Sequence, residues 1–277
     1  MPQLNCTLPG GLWELLQNRS LKTHDPLSHI VAEALAAYFQ VAHHTLFQVS
    51  TSTALVEGVY QGAVRIGALR EHGDLGLGTF EDLDGEMTIV GGHFYQTKGD
   101  GSVTEADDDV LSPFAVITRF FADAHVDLER CSDLISLTRQ FDQLRDSENV
   151  FYALRVDGHF DYVHTRAVSK AAEGVTLVQA AAVQPEFEFR NLSGTLVGFW
   201  TPEYAKTLNV PGYHLHFLSD DWTRGGHLLE CSGSNLHLQI QRAGDLHIAL
   251  PETESFLKAD LTRDPSAALA KAEGVRK

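Results

Sequence analysis

From residue 150 to residue 250 the chain is a succession of short apolar runs broken by turn-forming and charged residues. The runs cover 150–156, 160–168, 175–182, 186–189, 195–200, 213–218, 226–231, 236–242 and 245–250. None is long enough, at a 3.6-residue period, to make an ordinary helix, so this texture predicts a largely antiparallel β domain. Asp157-Gly158 is read as one of its turns. The first half is mixed. Leu12, Trp13, Leu15 and Leu16 fall at roughly helical spacing, and Ser28 stands where it would cap an Ala-rich helix over 29–39. A short helix is expected over 53–60, ending near Gly62. Asp84-Gly85, Gly91-Gly92 and Gly99-Asp100-Gly101 then mark hairpins. Residues 111–145 read as helix again, and the tail from Phe256 reads as helical with Pro265 at a helix start. The expected fold is α/β (α+β) in two domains. A mixed sheet with helices spans 1–172, and a largely antiparallel β domain with a helical tail spans 173–277.

Charge narrows the function. Thirty-seven Asp and Glu outweigh 21 Lys and Arg, a formal charge of −16. Nucleic acids and anionic membranes both need a basic footprint, so neither is an expected partner. An anionic substrate would need a local cation to hold it against the global field. Three cysteines, Cys6, Cys131 and Cys231, are widely spaced, which excludes a disulfide framework or a Cys-rich zinc site. Residues 1–6 lack the basic and apolar regions of a signal peptide, and no run of 18 apolar residues occurs. The expected compartment is the cytoplasm. Gly73-Asp74-Leu75-Gly76-Leu77-Gly78 lacks the spacing of a dinucleotide fingerprint and reads as turn and close-packing glycine.

Fourteen histidines are the compositional excess to follow. In Gly212-Tyr213-His214-Leu215-His216-Phe217, strand alternation puts His214 and His216 on one face and the apolar residues on the other. Gly225-Gly226-His227 follows a polar turn, so an antiparallel return would bring His227 opposite them. Three imidazoles with positions left open is the donor set of a catalytic rather than a structural zinc. His43-His44, His237 and His247 read as structural.

These residues resemble the α-acetolactate decarboxylase family. The resemblance extends to 72–80, to Leu83-Asp84-Gly85-Glu86, to Gly92-His93-Phe94-Tyr95-Gln96 and to Ser112-Pro113-Phe114. It continues through 151–158 and 194–202, and covers roughly residues 45–275. It implies decarboxylation of (S)-2-acetolactate to (R)-acetoin, on the way to butanediol, with Zn2+ held by His214, His216 and His227. It further implies Glu86 and Thr79 as active-site residues and a tail glutamate near the metal. By spacing that glutamate is Glu273 rather than Glu252 or Glu254. The active-site arginine is taken as Arg166 in preference to Arg155. A homodimer is implied as well. Asp220-Asp221-Trp222-Thr223-Arg224 departs from the usual pattern in the loop between the ligand strands, where it bears on substrate access.

The chemistry implied needs no organic electron sink. Loss of CO2 leaves negative charge beside a ketone, which a Lewis acid stabilises. Arg166 would orient the anion, Glu86 would deliver a proton to carbon, and Thr79 would donate to a substrate oxygen. Two rivals remain. A cupin-type dioxygenase or isomerase also uses H-x-H on a strand, but its glutamate and glycine positions carry Asp220, Asp221 and Leu208 here. A non-catalytic metal-binding relative would keep the histidines without turnover.

Overall fold

Alternate residues of the long strands serve two different cores. In a computed structural model the described residues are 5–24, 26–39, 44–172 and 174–273. The chain divides into two units, Met1–His43 and His44–Lys277. The first holds α1 (Gly10–Thr23) and α2 (Leu27–Phe39). Ser28 lies inside α2 rather than capping it, because the carbonyl of Pro26 takes the N–H groups of His29 and Ile30. His43 and residues 1–4 lie outside the described residues.

The second unit opens with β1 (Thr45–Val49), α3 (Ser52–Val56), β2 (Val64–Arg65) and α4 (Ile66–Leu69). It continues through β3 (Leu75–Thr79), β4 (Glu86–Val90), β5 (His93–Thr97), β6 (Val103–Glu105), β7 (Leu111–Ser112) and β8 (Phe114–Thr118). Next come β9 (Ala124–Cys131), α5 (Leu134–Leu144), β10 (Phe151–Arg166), α6 (Leu177–Ala181) and β11 (Glu186–Thr201). It closes with β12 (Gly212–Ser219), β13 (Gly225–Ala243), β14 (Asp245–Ala249), α7 (Glu254–Lys258) and α8 (Ser266–Ala272).

Seven strands form one sheet in the order β14-β1-β8-β3-β4-β5-β6, antiparallel except for the parallel pair β1–β14. Gly91 and Gly92, both at positive φ, make the two-residue turn between β4 and β5. A second sheet runs β10-β11-β12-β13-β9, a further β10–β13 pairing closes four of its strands into a ring, and β2 and β7 form a separate pair. On β10 and β11, Tyr152, Leu154, Leu196 and Trp200 enter the core beneath α5. Their neighbours Phe151, Ala153, Val197 and Phe199 pack with Leu75, Leu77 and Val116 of the first sheet. Both sheets draw strands from either side of the expected 172/173 boundary. β9 and β10 join the later strands, and β14 returns to the earlier sheet.

Several local expectations are corrected. Residues 111–145 are helical only in α5, which Asp133 and Ser136 cap reciprocally. Phe114–Thr118 is instead a central strand buried on both faces, where the alternation that marks a strand is lost. Residues 175–182 hold α6, begun by a capping box of Thr176 and Gln179. The expected turn at Asp157-Gly158 is the middle of the continuous β10. A Cβ on Gly158 would stand 2.6 Å from the Asn235 carbonyl oxygen, so glycine serves close backbone approach there. The helix expected over 53–60 stops at Val56, with Gly58 at φ +85° just beyond it.

Candidate metal centre and catalytic cavity

β12 carries the histidine pair as its alternation requires. Leu215 and Phe217 enter the ring core, while His214 and His216 turn toward the first sheet and are buried. In the strand register His216 pairs with His227 across β12–β13, and His227 pairs with Arg166 across β13–β10. Directly paired residues share a face, so His216, His227 and Arg166 form a row across three strands. Facing the row, the first sheet contributes a second pair, Thr79 on β3 opposite Glu86 on β4.

Arg166 reaches this face through irregular register. The shift between Phe160 and Tyr162 places an extra residue on β10, so Phe160 leaves the face that Tyr162, His164 and Arg166 share by alternation, and the shift between His164 and Thr165 places one on β13 at Leu229. Phe160 and Val163 both enter the ring core, and His164 pairs outward with Glu186 at 2.9 Å. Gly226, at φ +126°, lets β13 run against β10, since a Cβ there would lie 2.6 Å from the Arg166 carbonyl oxygen. Arg155, the alternative arginine, commits Nε and Nη2 to both carboxylate oxygens of Asp157 at 2.7 and 2.8 Å. It is not among the cavity-lining residues.

One ligand atom from each of His214, His216 and His227 lies within 4.8 Å of the others. The Nδ1–H of His216 donates to the Met87 carbonyl at 2.8 Å, which fixes the tautomer and leaves buried Nε2 without a partner. His214 Nδ1 is likewise buried and unpartnered. Burial drives the pKa of His214 down to about 3 and those of His216 and His227 well below the usual imidazole value, with Arg166 adding to the effect in all three. Three neutral imidazoles, two of them with an orphaned ring nitrogen, fit a divalent metal, and a ligated ion would satisfy what is otherwise a costly arrangement.

Two carboxylates border this donor set. Glu86 Oε2 lies 3.6 Å from His216 Nε2, and its Oε1 accepts from the Val168 N–H at 3.3 Å. Burial raises the Glu86 pKa to about 7, against the opposing pull of Arg166. Glu273 ends α8, where its largely buried carboxylate lies 3.1 Å from Arg166 Nη2 and 3.5 Å from His227 Nδ1. It stands 4.0 Å from His214 Nε2, and burial raises its pKa as well. Arg166 Nη1 also donates to the Ala272 carbonyl, so the arginine ties α8 to the sheet. Glu254, by contrast, is exposed and paired with Lys258.

These groups enclose a cavity of about 50 Å³, lined by Thr79, Glu86, Arg166, His214, His227 and Glu273 among others. Apolar walls come from Leu177 of α6 and Leu269 of α8. The Thr79 hydroxyl donates to the Gly85 carbonyl at 2.7 Å, so it offers the cavity lone pairs rather than a proton. The variant loop, residues 220–224, lies outside the cavity lining and forms the β12–β13 turn. There Asp221 accepts from Ser219 and Thr223, and Trp222 stacks on Tyr95 at 5.8 Å. Gln184 lines the cavity without having been expected there. Its one sequence mark is the proline that follows it.

A sequence model of the alpha-acetolactate decarboxylase family matches residues 46–263. The chain is 40% identical over 235 residues to the alpha-acetolactate decarboxylase of Brevibacillus brevis, covering 84% of this chain and 82% of that protein. It is 41% identical over 233 residues to that of Methanosarcina mazei, covering 84% and 81%. The crystal structure of alpha-acetolactate decarboxylase from Bacillus subtilis strain 168 superposes with a TM-score of 0.81 at 35% identity, covering 83% of this chain and all of that one.

Proposed function

The chain belongs to the alpha-acetolactate decarboxylase family and decarboxylates acetolactate, and from that premise we propose how its own residues do so. The observation that carries the reading is the row His216–His227–Arg166 facing Glu86, with unpartnered imidazole nitrogens on one side and a proton-holding carboxyl on the other. His214, His216 and His227 would hold Zn2+, with Glu273 at its edge. The ion supplies Lewis-acid charge where departure of CO2 leaves an electron pair.

Arg166 captures the carboxylate of (S)-2-acetolactate, the local cation that an otherwise anionic protein requires. Glu273 neutralises the arginine before substrate arrives and holds α8 over the cavity. As the carbon–carboxylate bond breaks, its electron pair passes toward the ketone oxygen and CO2 departs. Glu86 is the acid. Burial keeps its proton in place near neutrality, and it delivers that proton to the same carbon from the first-sheet side, giving (R)-acetoin. Solvent then returns a proton to Glu86. Thr79 braces the turn that presents Glu86. Leu177 and Leu269 exclude water while the charge develops.

The test is acetoin formation from racemic acetolactate, with chiral analysis, before and after chelation and zinc return. Chelation is expected to abolish turnover and zinc to restore it; activity that survives complete metal removal overturns the metal reading. An iron-loaded protein consuming oxygen would favour the dioxygenase alternative. We also propose a cytoplasmic homodimer. Its three free cysteines suit a reducing compartment, and light scattering tests the assembly. No helix of the described residues is long and apolar enough to cross a membrane.

A further inference from the structure

Two polar atoms on cavity-lining residues are buried without hydrogen-bond partners and are not imidazole nitrogens. They are Arg166 Nε, a donor, and Gln184 Oε1, an acceptor. The other non-histidine polar side chains of the lining each hold at least one partner. The Ser52 hydroxyl donates to the Lys206 carbonyl at 3.1 Å, Thr79 donates to Gly85, and Glu273 is paired with Arg166. A buried acceptor left unpaired costs roughly 1–3 kcal/mol, so its retention at a cavity wall marks a place for a ligand's donor.

The backbone holds Gln184 in position. Pro185 restricts Gln184 to extended conformations, and the Ala167 N–H donates to the Pro185 carbonyl at 3.2 Å. Glu186 pairs in register with Arg166 itself. Gln184 therefore enters the cavity wall from the loop between α6 and β11, two residues before the strand partner of the arginine. Ionised acetolactate has a single hydrogen-bond donor, its tertiary hydroxyl, and several acceptors, including the carboxylate. A 2-hydroxy acid anion thus matches the two orphans together, acceptor to Arg166 Nε and donor to Gln184 Oε1.

We propose that Gln184 is a specificity-determining residue that accepts a hydrogen bond from the tertiary hydroxyl of the substrate. This inference rests on the decarboxylase reading and extends it to the feature separating 2-hydroxy acids from other carboxylates. A site that pairs a hydroxyl rejects the analogue lacking it, because its own polar group is then stranded.

The experiment measures binding of 2-hydroxyisobutyrate and isobutyrate to zinc-loaded protein by ligand-detected NMR titration, beside acetoin turnover. The two probes differ only in the hydroxyl, and any contribution of the metal is common to wild type and variant. For Gln184→Met the preference for the hydroxy acid is expected to fall about tenfold, with isobutyrate affinity held within about twofold. Gln184→Glu keeps an acceptor oxygen, so both affinities should weaken together while the preference survives. An unchanged preference in Gln184→Met overturns the inference while leaving decarboxylation standing. Wild type that prefers the hydroxy acid but forms no acetoin sinks the decarboxylase reading and leaves the contact judged by binding alone.

Discussion

Glu86 and His216 sit 3.6 Å apart, yet their removal should fail in different ways. Glu86→Gln keeps the shape and the Val168 contact but has no proton to give. Zinc content should stay near wild type while turnover falls about 10²–10⁴-fold, the usual contribution of a positioned acid. His216→Ala should lose both metal and activity. Metal analysis beside acetoin rate and product chirality separates the two, and loss of zinc from Glu86→Gln would make Glu86 a support of the site instead of its acid. A second outcome at this scale concerns the thiols. Cys6 is exposed, whereas Cys131 and Cys231 are buried, and burial raises the pKa of both. Thiolate is the reactive form, so a chromogenic disulfide reagent should titrate one thiol per native chain quickly and three only in denaturant. Rapid reaction of two or three native thiols would contradict the packing. The histidines were legible because strand alternation alone puts His214 and His216 on one face. Glu86 drew on family resemblance, since nothing within its own segment distinguishes it from a solvated residue. Gln184 carried only the mark of the proline after it, because its place at the cavity arises where separate segments meet.

At the level of strands, β11 decides how closely β12 may lie. A Cβ on Gly198 would stand 2.0 Å from the carbonyl oxygen of His214, an approach no side chain survives without backbone movement. Gly198→Ala is therefore expected to push the ligand strand outward. The cost should be about 1–3 kcal/mol in denaturant unfolding, as for overpacking elsewhere, with reduced zinc content in the folded fraction. Full zinc occupancy with unchanged stability would show that the strands have room to spare. The same long strands explain which elements were legible. Turn dipeptides located the β4–β5 hairpin, because both glycines sit in the left-handed region that a two-residue hairpin turn demands. Asp157-Gly158 misled for the opposite reason: a glycine required by a neighbouring backbone carries the same letters as one required by a turn. Phe114–Thr118 is buried on both faces, so an apolar run without alternation could pass for helix. The run 175–182 reads as a strand because it is short and rich in β-branched residues, and the capping box of Thr176 and Gln179 makes it a helix.

For the molecule as a whole, the formal charge of −16 opposes the approach of an anion that Arg166 then holds. Screening should relieve this repulsion. Raising ionic strength from about 0.01 to 0.15 M shortens the Debye length from about 30 to 8 Å, so kcat/KM should rise, by about two- to fivefold. A fall over that range would mean that a local positive funnel outweighs the global field. The parallel pair β1–β14 has a consequence during synthesis. On that side of β1 Thr45 pairs with Asp245, so the outer edge of β1 has no neighbour until the ribosome has made the intervening chain. At about 5–20 residues per second that interval lasts roughly 10–40 s. An apolar strand edge left open that long invites pairing with other nascent chains, and the exposure ends only when β14 emerges to seal it.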